Sequence, residues 1–457
     1  MPLKPATTLT EVRDNCSPRP LAESELAAFY QESDAGRDEL NSLREQLKDQ
    51  FEKSTSVWRV LVYGHRGCGK STELNKLKGQ LGPNWFIVGF SIQDYLPAVG
   101  IKAEDILLAI AAAIFDKASK EQPPLEVDEK LLKSVHSFFS DATITETNDR
   151  QSELKMEAGA GVKEGGFWSK LLGLHASLKA ELNFGSKSEQ SLVSKIRRKP
   201  SELVFALDSV IETVRLALEK QQRKLLIIVE DLDKIGLAEA HDIFVKNAIL
   251  LAQPKANIIY TIPLFTFYSS EADAIRSQFQ ERLPFPMLKV VDLQGNKAPG
   301  YDIVHKIVRK RVAPGVLDDS ALDLLIRGTG GVLRNLFEAL HMVAGFRNIK
   351  GGKIQRDDIR AALDRMSVDI GVQIGWPLDD KGQRKDPKDL YDKLAAIARD
   401  QAAKKRVLPQ NDPTHEVLLK SGALIEYNGQ RWLGVHPLAR KYLADLGQDV
   451  GPDPYGL

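Results

Sequence analysis

Val60-Leu61-Val62-Tyr63-Gly64-His65-Arg66-Gly67-Cys68-Gly69-Lys70-Ser71-Thr72 decides how this chain is read. An apolar run over 58–64 predicts a strand, which ends in a glycine-rich turn closed by Lys-Ser. Glu73-Leu74-Asn75-Lys76-Leu77 follows and favours a helix. Glycines let the backbone curl so that successive N–H groups converge on phosphate oxygens. The helix start adds partial positive charge at the same place. Residues Gly64, His65, Arg66, Gly67, Cys68, Gly69, Lys70, Ser71 and Thr72 therefore form a candidate triphosphate cradle. Lys70 would reach the β- and γ-phosphates, and the Ser71 hydroxyl would sit on Mg²⁺. No Asn/Thr-Lys-x-Asp guanine-reading motif stands out, so ATP with Mg²⁺ is the expected cofactor.

Working outward, the 457 residues suffice for two to four domains. A hydrophobic share of 43% and a charged share of 27% are ordinary for a soluble globular chain. The net charge of +1 provides no bulk attraction to nucleic acid. Two cysteines, Cys16 and Cys68, make no disulfide framework, and a reducing cytoplasm is the expected setting. Cys68 reads as a small residue of the loop. No apolar run approaches the ~20 residues of a membrane span, and the N-terminus lacks a signal-peptide core. The eight histidines lack ligand spacing, so no structural metal is expected.

Residues 1–39 read as an irregular and helical lead-in. A core over 40–293 follows, with apolar strands at 58–64, 85–92, 225–229, 257–262 and 287–291. Helices alternate with them at 71–80, 101–117, 201–222, 242–251 and 269–280. That alternation predicts an α/β fold, a parallel sheet with helices on both faces. Residues 140–200 are polar and Gly/Ser/Lys/Glu-rich and read as an insertion, with an aromatic–leucine cluster at 166–174 expected to pack back on its own domain. Residues 294–370 read as helices alone, a helical lid. A linker around 371–387 opens a last domain, 371–457, whose helices and Asn428-Gly429 hairpin signal suggest a winged helix.

Acids at a strand end beside a phosphate loop are what hydrolysis needs. Glu230-Asp231 follows the apolar strand, with Glu230 in the Mg²⁺ position and Asp231 in the catalytic one. A second register gives Mg²⁺ to Asp231 with Asp233 downstream. The candidate metal set is thus Ser71, Glu230 and Asp231.

This order of parts resembles the AAA+ ATPases and their STAND-like relatives over about 40–365, and more loosely beyond. The resemblance implies a polar sensor at the end of the following strand, for which Thr261 fits. It implies a Gly-x-x-Arg sensor in the lid, which Gly331-Val332-Leu333-Arg334 matches, placing Arg334 at the γ-phosphate. It also implies an arginine given to a neighbouring subunit from just before the last core strand, where Arg282 lies. The GHRGCGKSTEL loop with its Gly-rich insertion also looks like bacterial ATPases of regulatory or anti-phage systems. The expectation is an ATP-hydrolysing switch that self-associates and acts on a protein partner. Two alternatives stay open: an ATPase binding DNA through Arg431, Arg440 and Lys441, and an ATP-bound scaffold that does not hydrolyse.

Overall fold

Four short apolar segments pair side by side because each is largely buried on both faces, and a fifth, an edge strand of mixed composition, completes the sheet. In this computed structural model they are β1 (Arg59–Gly64), β2 (Trp85–Ser91), β3 (Lys224–Glu230), β4 (Asn257–Pro263) and β5 (Glu281–Pro284). All neighbours run parallel, in the order β2-β3-β4-β1-β5. The structure describes residues 3–37, 42–54, 56–96, 100–122, 125, 200–269, 271–279, 281–346, 352–375, 386–410, 412–427 and 432–456. The insertion at 140–200, its 166–174 cluster, the Asn428-Gly429 turn and Arg431 lie outside them, apart from Pro200.

Side chains alternate across the sheet. Val60, Val62, Leu226, Ile228 and Ile259 pack on one face against Leu74 and Leu77 of helix Lys70–Leu81 and against Leu47 and Phe51 of helix Leu43–Lys53. Leu61, Val88, Ile227, Val229 and Tyr260 face the other way, toward helices Ala103–Lys120 and Pro200–Glu219. This is the expected α/β architecture, with helices on both faces of a parallel sheet.

Residues 287–291 are not the expected last strand. The edge strand is β5, and pairing stops at Phe285, whose N–H reaches Tyr63 O at 2.6 Å. Pro284 and Pro286 have no N–H to continue a ladder. Met287, Leu288, Val290 and Val291 are buried all the same, as a core-filling segment without a ladder. Arg282 consequently lies within the last strand rather than before it.

The segment read as a lid folds as helices Pro299–Arg309, Asp319–Thr329, Leu333–Ala344 and Arg356–Ile374. The last runs across the expected 370/371 boundary. Its Gly371 is no breaker: a Cβ there would meet the Tyr442 ring at 2.4 Å. Beyond it lie helices Lys388–Ala402 and Pro413–Ser421, the antiparallel hairpin of β6 (Leu424–Tyr427) and β7 (Trp432–Val435), and helix Pro437–Asp445. The N-terminal segment is tied into the lid, with Ala6 N–H on Arg311 O at 2.7 Å and Ala313 N–H on Ala6 O at 3.0 Å.

Candidate functional site

The glycine-rich loop leaves the carboxyl end of β1, in the middle of the sheet, and leads into helix Lys70–Leu81. Gly67 has φ +83°, a left-handed conformation that only glycine adopts without strain. A Cβ there would also come within 2.6 Å of Arg334 Cβ. Lys70 is 5% exposed. Its Nζ donates to Gly64 O and His65 O, each at 3.0 Å, and pairs with the Asp233 carboxylate at 2.8 Å. Burial opposes the ammonium, but Asp233 outweighs it and the Lys70 pKa is raised.

Each carboxylate at the end of β3 and in the turn after it has its own cation. Glu230 pairs with Lys78 Nζ at 3.1 Å. Asp231 turns out of the strand with φ +67° and ψ +9°. It accepts Ser91 Oγ at 2.7 Å and pairs with Lys234 at 2.7 Å. Asp233 is the acid that meets the loop lysine. The Asp-x-Asp spacing was the only sequence signal that brought Asp233 to the site, and the sequence assigned no acid to Lys70.

These groups line one cavity of about 390 Å³, a size suited to a small ligand. Lys70, Ser71, Glu230, Asp231, Asp233 and Arg334 all face it. Its far end is built by the N-terminal segment and the lid, through Phe29, Tyr30, Arg311 and Phe337. Sequence reasoning missed this wall. Tyr30 OH donates to Glu73 at 3.0 Å, in the first turn of the loop helix, and Arg44 Nε meets the same carboxylate at 2.7 Å. Arg37 donates to Cys68 O at 2.9 Å and to Pro286 O, with its guanidinium 3.9 Å from the Phe285 ring. Thr72 Oγ1 accepts Leu21 N–H at 3.2 Å.

The structure brings Arg334 to the loop, its N–H on Gly67 O at 3.3 Å. Arg66 stands beside it, and partial burial followed by Arg334 lowers the Arg66 pKa. Thr261 is buried in β4, with Oγ1 donating to Val229 O at 3.4 Å, and does not line the cavity. Arg282 is likewise away from it, with Nη1 on Phe279 O at 2.6 Å and Arg276 O at 3.1 Å. Cys68 is buried, its Sγ 3.6 Å from Phe285 O.

His65 makes a contact that no local pattern announces. Its Nε2 accepts the Glu426 N–H of β6 at 2.7 Å, so the imidazole is neutral with the proton on Nδ1. The Glu426 carboxylate accepts the Tyr268 hydroxyl. Tyr427 OH reaches Gly330 O at 3.5 Å, in the turn before Arg334. Phosphate loop, lid turn and C-terminal hairpin thus meet at one place.

Burial pushes both His65 and His436 down to about 3 from 6.5. Each stays neutral in the fold while its unfolded counterpart charges below pH ~6.5. The folded state binds fewer protons, so stability is full above pH ~6.5 and falls as pH drops toward 3. With two groups the expected slope reaches about 2.7 kcal/mol per pH unit. Urea midpoints from pH 7 to pH 5 check this. A flat profile in wild type, or an unchanged one in His436→Gln, contradicts it.

Residues 41–260 match the KAP family P-loop domain. The KAP match spans the phosphate loop, β2, β3 and most of β4, so this part of the chain is similar to a P-loop NTPase domain. No curated protein matches the chain. Among solved structures it is similar to the Walker-type ATPase paby2304 of Pyrococcus abyssi, with 14% identity, TM-score 0.42, and 91% of this chain and 99% of that one covered. Cdc6p from Pyrobaculum aerophilum shows 12% identity and TM-score 0.36, covering 91% and 98%. The Aeropyrum pernix Orc1 protein in complex with DNA shows 13% and 0.34, covering 90% and 94%.

The residues present fit a nucleoside triphosphate with Mg²⁺. The loop's curl and its buried ammonium suit phosphate oxygens, and hydroxyl and carboxylate oxygens are the hard donors Mg²⁺ prefers. Among the described residues no group of three or more His, Cys, Asp or Glu is gathered for a metal. A Mg²⁺ ion would instead be held by one or two carboxylates together with the phosphates.

Proposed function

We propose that this chain is an ATP- and Mg²⁺-dependent switch of the reducing cytoplasm that hydrolyses ATP slowly, self-associates and acts on a protein partner. Lys70 holds the β- and γ-phosphates, Ser71 and one acid of the β3 turn hold Mg²⁺, and a neighbouring acid orients water. Arg334 reports the γ-phosphate to the lid. Mg²⁺ supplies charge neutralisation on the phosphates; the protein supplies position. The observation that carries the reading is the bond from His65 to Glu426, beside the Tyr427 contact with the lid turn. A loop that moves when phosphates arrive moves its partner on the hairpin. His241, which meets Glu416 of helix Pro413–Ser421 at 3.0 Å, is a second tie between core and C-terminal part. Arg282 on the edge strand, away from its own cavity, is compatible with service in a neighbouring subunit.

Two of the three basic residues named for the DNA alternative are engaged within the fold. Arg440 is buried and donates to Ala398 O at 3.1 Å and Gly451 O at 2.9 Å. Lys441 pairs with Asp445 and Asp364. Among the described residues no helix is long and apolar enough to cross a membrane. Turnover and particle size measured with and without ATP, and with and without DNA, test the proposal. Expected are slow turnover, a larger particle with ATP and indifference to DNA. ATP-dependent DNA retention at low salt would favour the DNA alternative, and tight binding without turnover the scaffold.

A further inference from the structure

Three ion pairs hold the acids at the end of β3: Lys78 with Glu230, Lys234 with Asp231, Lys70 with Asp233. The last is set apart by its cation. Both of its side chains are largely buried, at 5% and 11% exposure, and its cation is the one the loop directs at phosphate. In this arrangement a carboxylate oxygen sits 2.8 Å from Lys70 Nζ. A phosphate oxygen has the same charge sign, the same acceptor chemistry and the same preferred distance. The two compete for one ammonium.

Resting on the ATP-site reading above, we propose that Asp233 is a positioning residue: it holds the place of the nucleotide's phosphates on Lys70 and is released by them. Lys70 stays oriented at the loop by Gly64 O and His65 O while it changes partner. Asp233, once released, is the one acid of the turn that loses its paired lysine, with Arg66 the remaining charge near it. Glu230 keeps Lys78, and Asp231 keeps Lys234 and Ser91. Asp233 is therefore the carboxylate this site makes available to Mg²⁺. Nucleotide binding and metal binding are then coupled through one exchange: phosphate takes the lysine, and the acid it frees favours the cation that phosphate brings.

The test is equilibrium binding of a fluorescent ATP analogue to the full chain, once in excess chelator and once in Mg²⁺. With its competitor removed, Asp233→Asn should bind metal-free ATP roughly tenfold tighter than wild type, and its gain from Mg²⁺ should shrink. Asp231→Asn removes the same charge from the same turn without freeing Lys70, and its metal-free gain should be at least about threefold smaller. Asp233→Glu, which keeps the charge, should stay near wild type. Asp233→Ser serves as a second neutral variant should Asn impair folding, which a thermal melt reports. A residue that is merely structural would not tighten binding when removed. Equal gains in Asp233→Asn and Asp231→Asn, or unchanged or weaker metal-free binding in Asp233→Asn, overturn the exchange while leaving the ATP site in place. Wild-type binding in Lys70→Ala overturns the site reading itself.

Discussion

Lys70→Ala is expected to weaken ATP binding by about 30-fold or more and to abolish turnover. Its ammonium is the cation that the loop's own carbonyls aim at the cavity, from Gly64 and His65 at 3.0 Å. Losing a desolvated charge-assisted contact to phosphate costs about 2–5 kcal/mol, which is 30-fold to several thousand-fold in affinity. The same substitution has a second consequence. Asp233, only 11% exposed, is left without its cation. An unpaired buried charge costs about 3 kcal/mol, so the melting temperature should fall as well. The two effects separate in the double variant Lys70→Ala/Asp233→Asn, which should recover most of the stability and none of the binding. Calorimetric titration with Mg·ATP and thermal melts on the four proteins complete the cycle. Recovery of binding in the double variant would show that the loss came from misfolding rather than from the missing ammonium.

The phosphate loop was legible because its chemistry is local: strand, glycines, lysine and helix follow one another within about a dozen residues. The sheet was legible for the same reason, since strands buried on both faces leave unbroken apolar runs. The choice among the acids was not. Counting along a strand assumes that alternation continues, and at Asp231 the chain enters the left-handed region with φ +67°. From there the side chains no longer alternate, and Asp233, two residues past the strand's alternation, turns to Lys70. The apolar run at 287–291 misled for a related reason, because burial alone does not make a ladder when prolines flank the entry. The N-terminal wall was hidden by distance. Arg311 Nη1 donates to Phe29 O across 282 positions, and Tyr30 meets Glu73 across 43. Arg440 read as a surface base, and only the fold shows its guanidinium surrounded by carbonyls of 450–452. His65 sits inside the most readable motif of the chain, yet its partner is 361 residues away.

That long contact makes the lid turn a place where small geometric errors should have large effects, and Gly331→Ala is the sharpest case. Gly331 has φ +87°, and a Cβ there would lie 2.0 Å from Leu288 O and 3.2 Å from Val290 Cγ1. The first obstacle is backbone, so no rotamer change relieves it. Left-handed strain alone costs about 1–3 kcal/mol, and moving the 287–291 segment out of the core adds to it. A loss of about 3 kcal/mol or more is expected, at the severe end for one substitution. Arg334 begins only three residues later, so the shift should also pull its N–H from Gly67 O and carry Gly330 O away from Tyr427. ATP affinity should therefore fall in the protein that remains folded, although residue 331 is not among those lining the cavity. Gly315→Ala is the matched control: a Cβ there meets nothing within 4 Å and its φ is not positive. That variant should be neutral or gain about 0.4–1 kcal/mol by restricting the unfolded chain. Urea denaturation midpoints and ATP affinities of the two variants decide the matter. Equal midpoints would mean that the Gly330-Gly331 turn does not hold lid and loop together, and the coupling between Arg334 and the hairpin would lose its physical basis.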